Sequence, residues 1–157
     1  MRKINLHIRK AEIKDLNTLK EFEQEIIKFE RPFDPNLKQD PITYYDLSEL
    51  IQREDAQVVV ATIDGELVGS GYALIKNSMP YKKPTQYAYL GFMYVSPEFR
   101  GNRINGKVVE SLLDWAKEKK ITEIQLDVYA ENKIALNAYA KIGFQPDLLK
   151  MRLNLEE

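Results

Sequence analysis

The sequence predicts an α+β domain, and three observations carry that expectation. Segments that alternate apolar and polar residues are interleaved with segments whose apolar residues recur every three or four positions. Their order is mixed, β-α-α-β-β-β-α-β-α-β, rather than a strict βα repeat. One local β-α-β unit joins a strand at 86–96 to a strand at 122–129. At 157 residues the chain suits one core, and no repeat, low-complexity stretch or linker divides it, so a single domain over 1–157 is expected.

Each element has a local reason. INLHIRKA alternates Ile4, Leu6 and Ile8 with polar residues, as a half-buried strand does, and leaves the lone histidine, His7, on the surface side. Leu19, Phe22, Ile26 and Phe29 then form one helical stripe, which the two prolines of RPFDPN end. Asp40-Pro41 reads as an N-cap with proline at the first helical position, opening a second helix that carries Tyr44, Leu47, Leu50 and Ile51. AQVVVATIDGELVGSGYALIK is a hairpin, because Asp64-Gly65 tolerates the positive φ of a two-residue turn. Val58, Val59 and Val60 are consecutive apolar residues, which suits a strand buried on both faces.

KNSMPYKKPTQ is a loop, and the aromatic-rich YAYLGFMYVS after it is a strand. A helix follows, with Ile104, Val108, Leu112, Trp115 and Ala116 on one side. ITEIQLDVYA alternates Ile124, Leu126 and Val128 as a further strand. In ENKIALNAYAKIGF, Asn132 is placed to cap a helix and Gly143 to close it in the left-handed conformation. LKMRLNLEE reads as a last strand with Leu149, Met151 and Leu153 on one face.

Composition removes several classes of function. There is no cysteine, so disulfides, thiolate metal sites and a cysteine nucleophile are excluded, and one histidine cannot build a histidine metal site. No metal is expected. A formal net charge of −1 and the lack of a long basic helix argue against nucleic acid and against an anionic membrane surface. The N-terminal MRKINLHIRK has no continuous apolar core, and no apolar run is long enough to cross a bilayer. A cytoplasmic protein is the simplest expectation.

The chemistry concentrates in SPEFRGNRINGKV. It connects an apolar strand to a helix whose first amides have no side-chain cap. Free N–H groups and the positive end of the helix dipole together favour an anion. Gly101 and Gly106 allow close backbone approach, and Arg100, Arg103 and Lys107 place three cations within eight residues. The spacing is not that of a Walker loop, since no Ser or Thr follows Lys107, and the dinucleotide fingerprint is also absent.

Twenty-six residues after Gly106 comes NKIALNAYAKIGF. Taken with YVSPEFRG, it resembles the GNAT superfamily of N-acetyltransferases. Val95, Pro97, Arg100 and Gly101 match that family's strand–turn–loop block, and Asn132, Ala135, Tyr139, Gly143 and Phe144 match its later helix. Arg103 and Asn105 depart from the pattern, standing where the loop usually has glycine or alanine.

The resemblance implies a mixed, mostly antiparallel sheet with helices on both faces and a central parallel pair splayed around CoA. It implies acetyl-CoA as donor, with the loop amides of Arg100, Gly101, Asn102, Arg103, Asn105, Gly106 and Lys107 around its pyrophosphate. Met93, Tyr94 and Val95 would pair with its pantetheine, and Asn132 would contact CoA. A backbone amide of Met93 or Tyr94 would face the oxyanion, and Tyr139 would serve the leaving thiolate as general acid.

The strand position where many relatives carry a glutamate is Gly91 here. The proton acceptor is therefore open among Asp127, Glu25, Glu30, a water held by Tyr89 or Tyr94, and a relay to solvent. The acceptor is expected to be a small-molecule or peptide amine, beside Phe33, Tyr44, Tyr45, Tyr81 and Tyr87 and the lysines Lys82 and Lys83. A homodimer is within what the resemblance implies. A non-catalytic CoA-binding sensor or scaffold is the competing class.

Overall fold

A computed structural model describes residues 4–156; Met1–Lys3, on which the N-terminal reading partly rests, lie outside the described residues. The chain divides into two compact units, Met1–Asp127 and Val128–Glu157.

The first unit holds β1 (Leu6–Lys10), α1 (Leu16–Glu30), α2 (Leu47–Gln52), β2 (Ala56–Ile63), β3 (Glu66–Asn77), β4 (Gln86–Val95), α3 (Ile104–Glu118) and β5 (Ile124–Leu126). The strands form one open sheet in the order β1-β2-β3-β4-β5. The first three pairings are antiparallel, and β4–β5 is parallel. This is the mixed α+β sheet that the sequence predicts, with the parallel pair at its edge.

The hairpin turns where expected, with Asp64 at φ 51° and Gly65 at φ 83°. Val58, Val59 and Val60 are all buried, because helices cover both faces of β2. Val58, Val60, Tyr72 and Phe92 face a core shared with Leu19 and Phe22 of α1 and Leu47, Leu50 and Ile51 of α2. The opposite face takes α3: a Cβ built on Gly71 would meet Val108 Cγ1 at 2.7 Å and Leu112 Cδ1 at 3.3 Å. Ile104, Val108, Leu112, Trp115 and Ala116 are buried together, as their spacing requires.

Four expectations need correction. The buried face of α1 runs through Leu19, Phe22, Glu23 and Ile27, while Phe29 is 53% exposed and packs edge-on against Phe33. Apolar periodicity does not mark Glu23, because a carboxylate on a core face is costly unless it is bonded. It is bonded here, as described below.

The second helix does not start at Asp40-Pro41. Its N-cap is Asp46, whose carboxylate accepts from the Glu49 amide at 3.1 Å. Asp40 instead meets Arg31 at 2.6 Å, and Tyr44 precedes the helix.

The fifth strand, β5, is paired over Ile124–Leu126 only, shorter than 122–129. Lastly, LKMRLNLEE forms no strand among the described residues, and Leu149, Met151 and Leu153 are 70–84% exposed. Alternation states which side chains would share a face; it does not supply a sheet edge for them to join.

The second unit contains α4 (Lys133–Ile142). Asn132 caps it as predicted, its Oδ1 accepting from the Ala135 amide at 3.2 Å. Gly143, at φ 121°, closes it, and the Gly143 and Phe144 amides return to the Tyr139 carbonyl at 3.2 and 3.0 Å.

Candidate functional site

The site begins with an irregularity in β4. Opposite β3, Tyr72 pairs with Gly91 and Ser70 with Tyr94, so Phe92 and Met93 together face Gly71. That is a β-bulge, and Phe92 takes φ 58° to make it. The buried Ser70 Oγ donates to the Phe92 carbonyl at 2.9 Å, giving the displaced group a partner. The Phe92 ring lies in the core, edge-on to Tyr45 at 5.4 Å.

The bulge changes which amides face which side. Before it, the Ala88 amide reaches toward β5, to the Glu123 carbonyl at 2.9 Å. After it, the Ser96 amide reaches toward β3, to the Val68 carbonyl at 2.8 Å. Amide direction alternates along a strand. Tyr94 therefore shares the β3 side with Ser96, and the Met93 and Val95 amides point to the β5 side. β5 has already ended: its last rung is Leu126 beside Leu90. Among the described residues, the far half of β4 thus has no strand paired on its β5 side, and the Met93 and Val95 amides are directed there.

Beyond Val95 the chain makes a 3-10 turn over Pro97–Phe99 and enters the loop. Arg100 turns back, its Nε donating to the Val95 carbonyl at 3.3 Å, and Asn102 Nδ2 donates to the Phe99 carbonyl at 2.9 Å. Gly101 has φ 86° and Arg103 has φ 61°, ψ 22°. The positive φ falls on Gly101 and Arg103, while Asn105 lies within α3 and Gly106 needs no special conformation. Arg103 is the N-cap residue of α3 and makes no side-chain cap. The first α3 amide bonded within the chain is that of Lys107, to the Arg103 carbonyl at 3.2 Å. Those of Ile104, Asn105 and Gly106 precede it and have no acceptor among the described residues. Left-handed residues at a helix start form a concave set of N–H groups suited to an anion. Arg103 is exposed beside it, and Lys107 reaches Glu110 at 3.6 Å in solvent.

The structure thus brings Met93, Tyr94, Val95, Arg100, Gly101, Asn102, Arg103, Asn105, Gly106 and Lys107 into one continuous strand–loop–helix stretch. In the second unit Asn132 caps α4 and Tyr139 lies on it, where the Tyr139 ring meets Phe144 edge-on at 5.7 Å.

Sequence reasoning missed an aromatic cluster on the α1–α2 face. Tyr45 packs edge-on to Tyr44, Tyr72 and Phe92, and Tyr72 packs against Tyr89. Glu23 anchors the segment that delivers it: only 2% exposed, it accepts from the Tyr44 amide at 2.9 Å and the Tyr45 amide at 2.8 Å. Tyr89 donates to Asp127 Oδ2 at 3.0 Å. Burial, and then the Asp127 charge, hold the Tyr89 hydroxyl well above the ordinary phenol range and raise that of Tyr72. Burial also raises the Tyr45 hydroxyl, with Tyr72 adding to it. Glu30, at the end of α1, is raised by burial against a hydrogen bond from Tyr44. Where the glutamate is absent, the Tyr72 ring takes the space. A Cβ on Gly91 would run into Tyr72 Cε1 and stand 2.8 Å from Cζ and 2.9 Å from the hydroxyl.

Comparison with known proteins agrees with this architecture. An uncharacterized N-acetyltransferase of Archaeoglobus fulgidus is 30% identical over 135 residues, covering 86% of this chain and 90% of its own. N-alpha-acetyltransferase 30 of Saccharomyces cerevisiae is 34% identical over 65 residues, which are 41% of this chain and 37% of that enzyme. The match thus spans well under half of that enzyme's length, as it does for the Methanocaldococcus jannaschii protein, at 42%.

Among solved structures, a predicted acetyltransferase of Clostridium acetobutylicum with acetyl-CoA superposes with a TM-score of 0.71 at 22% identity, covering 96% of each chain. Glucosamine-6-phosphate N-acetyltransferase of Arabidopsis thaliana gives 0.68 at 21%, covering 97% of this chain and 99% of its own. At such identities the likeness is one of fold. The sequence profile of the acetyltransferase (GNAT) family matches residues 20–144, most of the chain. The chain belongs to the acetyltransferase (GNAT) family.

Proposed function

We propose that the chain, as a single domain over 1–157, transfers the acetyl group of acetyl-CoA to a primary amine by direct attack in a ternary complex. The observation that carries this is the strand–loop–helix stretch from β4 to α3. A strand edge unpaired among the described residues, with inward amides, runs directly into a cradle of N–H groups that have no acceptor among them. An extended amide-bearing arm ending in a pyrophosphate has the matching chemistry: strand-like pairing along β4, then an anion at the helix start.

On this reading the amides at 101–106 hold the pyrophosphate, with Arg103 and Lys107 adding charge. Met93 and Val95 pair with the pantetheine arm. The Met93 amide, directed into the gap, is favoured over that of Tyr94 as donor to the developing oxyanion. Acetyl-CoA supplies an activated thioester; the residues bind, orient and move protons.

An alkylammonium, with a pKa of about 10.4, must lose a proton before it attacks. Tyr139 serves the departing thiolate. A phenol at about 10 donating to a thiol at about 8.5 is uphill by roughly 2 kcal/mol, so the hydroxyl acts as a hydrogen-bond donor while the proton leaving the new amide completes the transfer.

Named relatives include a thialysine N-epsilon-acetyltransferase of Bos taurus and the yeast N-alpha-acetyltransferase. Nitrogen is their shared acceptor, and a small-molecule or peptide amine is the class proposed here.

Acetyl-CoA should raise the melting temperature, and thiol release should appear with at least one of lysine, spermidine, kanamycin and an alanyl tetrapeptide. Stabilisation without turnover on any of them would place the chain among non-catalytic CoA binders. No stabilisation by acetyl-CoA or CoA would remove the loop assignment itself. Tyr139→Phe should slow turnover tenfold or more and leave the acetyl-CoA shift unchanged; equal loss of both would make Tyr139 structural.

A further inference from the structure

The described carboxylates that bear on the α1–α2 face around β4 differ in what they are free to do. Glu23 is buried and committed to two backbone amides. Glu30 is half-buried and bonded by Tyr44. Glu25 is exposed on α1 and acts on Tyr94. Asp127 is different, because its place is set by the sheet itself. It is the first residue past the last β4–β5 rung, level with Gly91 and at the point where the two strands part.

Its side chain lies on the α1–α2 face, because Tyr89 of that face donates to it at 3.0 Å. Across β4, Tyr72 pairs with Gly91 and lays its ring over the glycine. A row therefore crosses three strands: Tyr72 on β3, the bare backbone of Gly91 on β4, and Asp127 at the end of β5. Asp127 is exposed, so an incoming amine can reach it. The neighbouring phenols are poor bases. Tyr72 and Tyr89 are held protonated by burial and by Asp127 itself, and Lys76 Nζ stands 4.2 Å over the Tyr89 ring. From the helix side, Tyr45 closes the cluster.

We propose that the Asp127 carboxylate is the catalytic proton acceptor for the amine, and that Tyr89 is its positioning residue. The inference rests on the acetyltransferase reading above. The ammonium is received by Asp127 and gives it one proton, which later passes to solvent. The freed lone pair forms the C–N bond to the thioester carbonyl carbon, and the C–S bond breaks. The second nitrogen proton leaves and ends on the thiolate. The sum is ammonium plus thioester giving amide, thiol and one proton.

The test uses acetyl-CoA with the best acceptor of the panel named above. Asp127→Asn keeps an oxygen for Tyr89 and should leave the melting temperature and its acetyl-CoA shift unchanged. Its kcat/KM at pH 7 should fall about 10²–10³-fold. Log kcat/KM should then rise with unit slope toward the amine's own pKa of about 10, because only free amine reacts. Asp127→Glu should retain at least roughly a tenth of the activity. Tyr89→Phe should lower kcat severalfold while leaving the KM for acetyl-CoA and the melting temperature unchanged, since the carboxylate loses the group that positions it.

A variant Asp127→Asn within threefold of wild type and with the wild-type profile overturns the proposal. So does a matching loss in Glu30→Gln with none at Asp127. If wild type itself turns over no amine, the reaction reading and this inference fall together; turnover that survives Asp127→Asn removes this inference alone.

Discussion

Gly91→Ala places one methyl group where the structure has no room for it. The added Cβ would overlap Tyr72 Cε1 and lie 2.8 Å from Cζ, against ordinary contacts of 3.4–4 Å. The ring cannot swing aside. Tyr72 is 5% exposed, with Tyr45 edge-on at 5.5 Å and Tyr89 at 6.4 Å. Overpacking of this kind costs about 1–3 kcal/mol. Alanine also narrows the unfolded ensemble, which returns roughly 0.4–1 kcal/mol. The net loss should be about 1–2 kcal/mol, or a Tm lower by about 2–8 °C for a chain of this size. A double-mutant cycle with Tyr72→Leu isolates the contact. Once the ring is gone, the alanine should cost little or stabilise, giving a coupling of about 1 kcal/mol or more. Thermal and urea unfolding of the four proteins measure it. An unchanged or higher Tm for Gly91→Ala alone, or strict additivity in the cycle, would refute the argument that Tyr72 fills the side-chain place of residue 91.

Three further predictions follow from the geometry. Arg103 at φ 61° carries a left-handed penalty that glycine does not, so Arg103→Gly should be more stable than Arg103→Ala by about 1 kcal/mol; both should weaken CoA binding in a salt-dependent way, and equal affinity at low salt would show that the side chain only faces solvent. Ser70→Ala leaves the buried Phe92 carbonyl without its 2.9 Å partner, at a cost of about 1–3 kcal/mol by chemical unfolding; a cost below about 0.3 kcal/mol would mean that this bond does not support the bulge. Asp15, 4% exposed at its side chain, accepts two 2.9 Å bonds from Arg9, and that pairing holds its carboxyl below the ordinary range against burial. A lowered folded pKa gives stability that is present above the unfolded value of about 3.9 and is lost as pH falls through the folded one. Asp15→Asn should therefore cost roughly 1–3 kcal/mol at pH 7, with the gap to wild type closing below about pH 4; a constant gap from pH 7 to pH 3 would exclude the charge as its source.

What was legible in the sequence follows from the range of each signal. The hairpin at Asp64-Gly65, the stripe of α3 and both caps of α4 are encoded within a few residues, and each stands where expected. The start of α2 was not legible. Asp40-Pro41 and Asp46 both offer capping chemistry, and the choice is made at long range, by Glu23 holding the Tyr44 and Tyr45 amides. The loop residues could be named from the sequence, but the location of the left-handed conformation could not. Asparagine tolerates positive φ best among the candidates, yet Arg103 adopts it and Asn105 enters the helix. The tyrosine cluster was invisible because Tyr45, Tyr72 and Tyr89 come from three separate segments, and period-2 reading treats each as an ordinary face residue.

The bulge at Phe92 joins these long-range features into one device. Without it, strict alternation from Ala88 would send the amides of residues 92 and 94 toward the gap and that of Ser96 away from Val68, undoing the turn into the loop. One inserted residue moves the inward amides to Met93 and Val95 and keeps Ser96 bonded to β3. It also buries Phe92 against Tyr45, so the segment held by Glu23 packs directly on the strand distortion. Gly91 is the residue just before that phase change. A side chain there would overlap the Tyr72 ring and strain the packing that keeps Tyr89 against Asp127. The absence of a glutamate from β4 is therefore a packing consequence of Tyr72 as much as a change in chemistry. It leaves the end of β5 as the place from which a carboxylate can reach the same point.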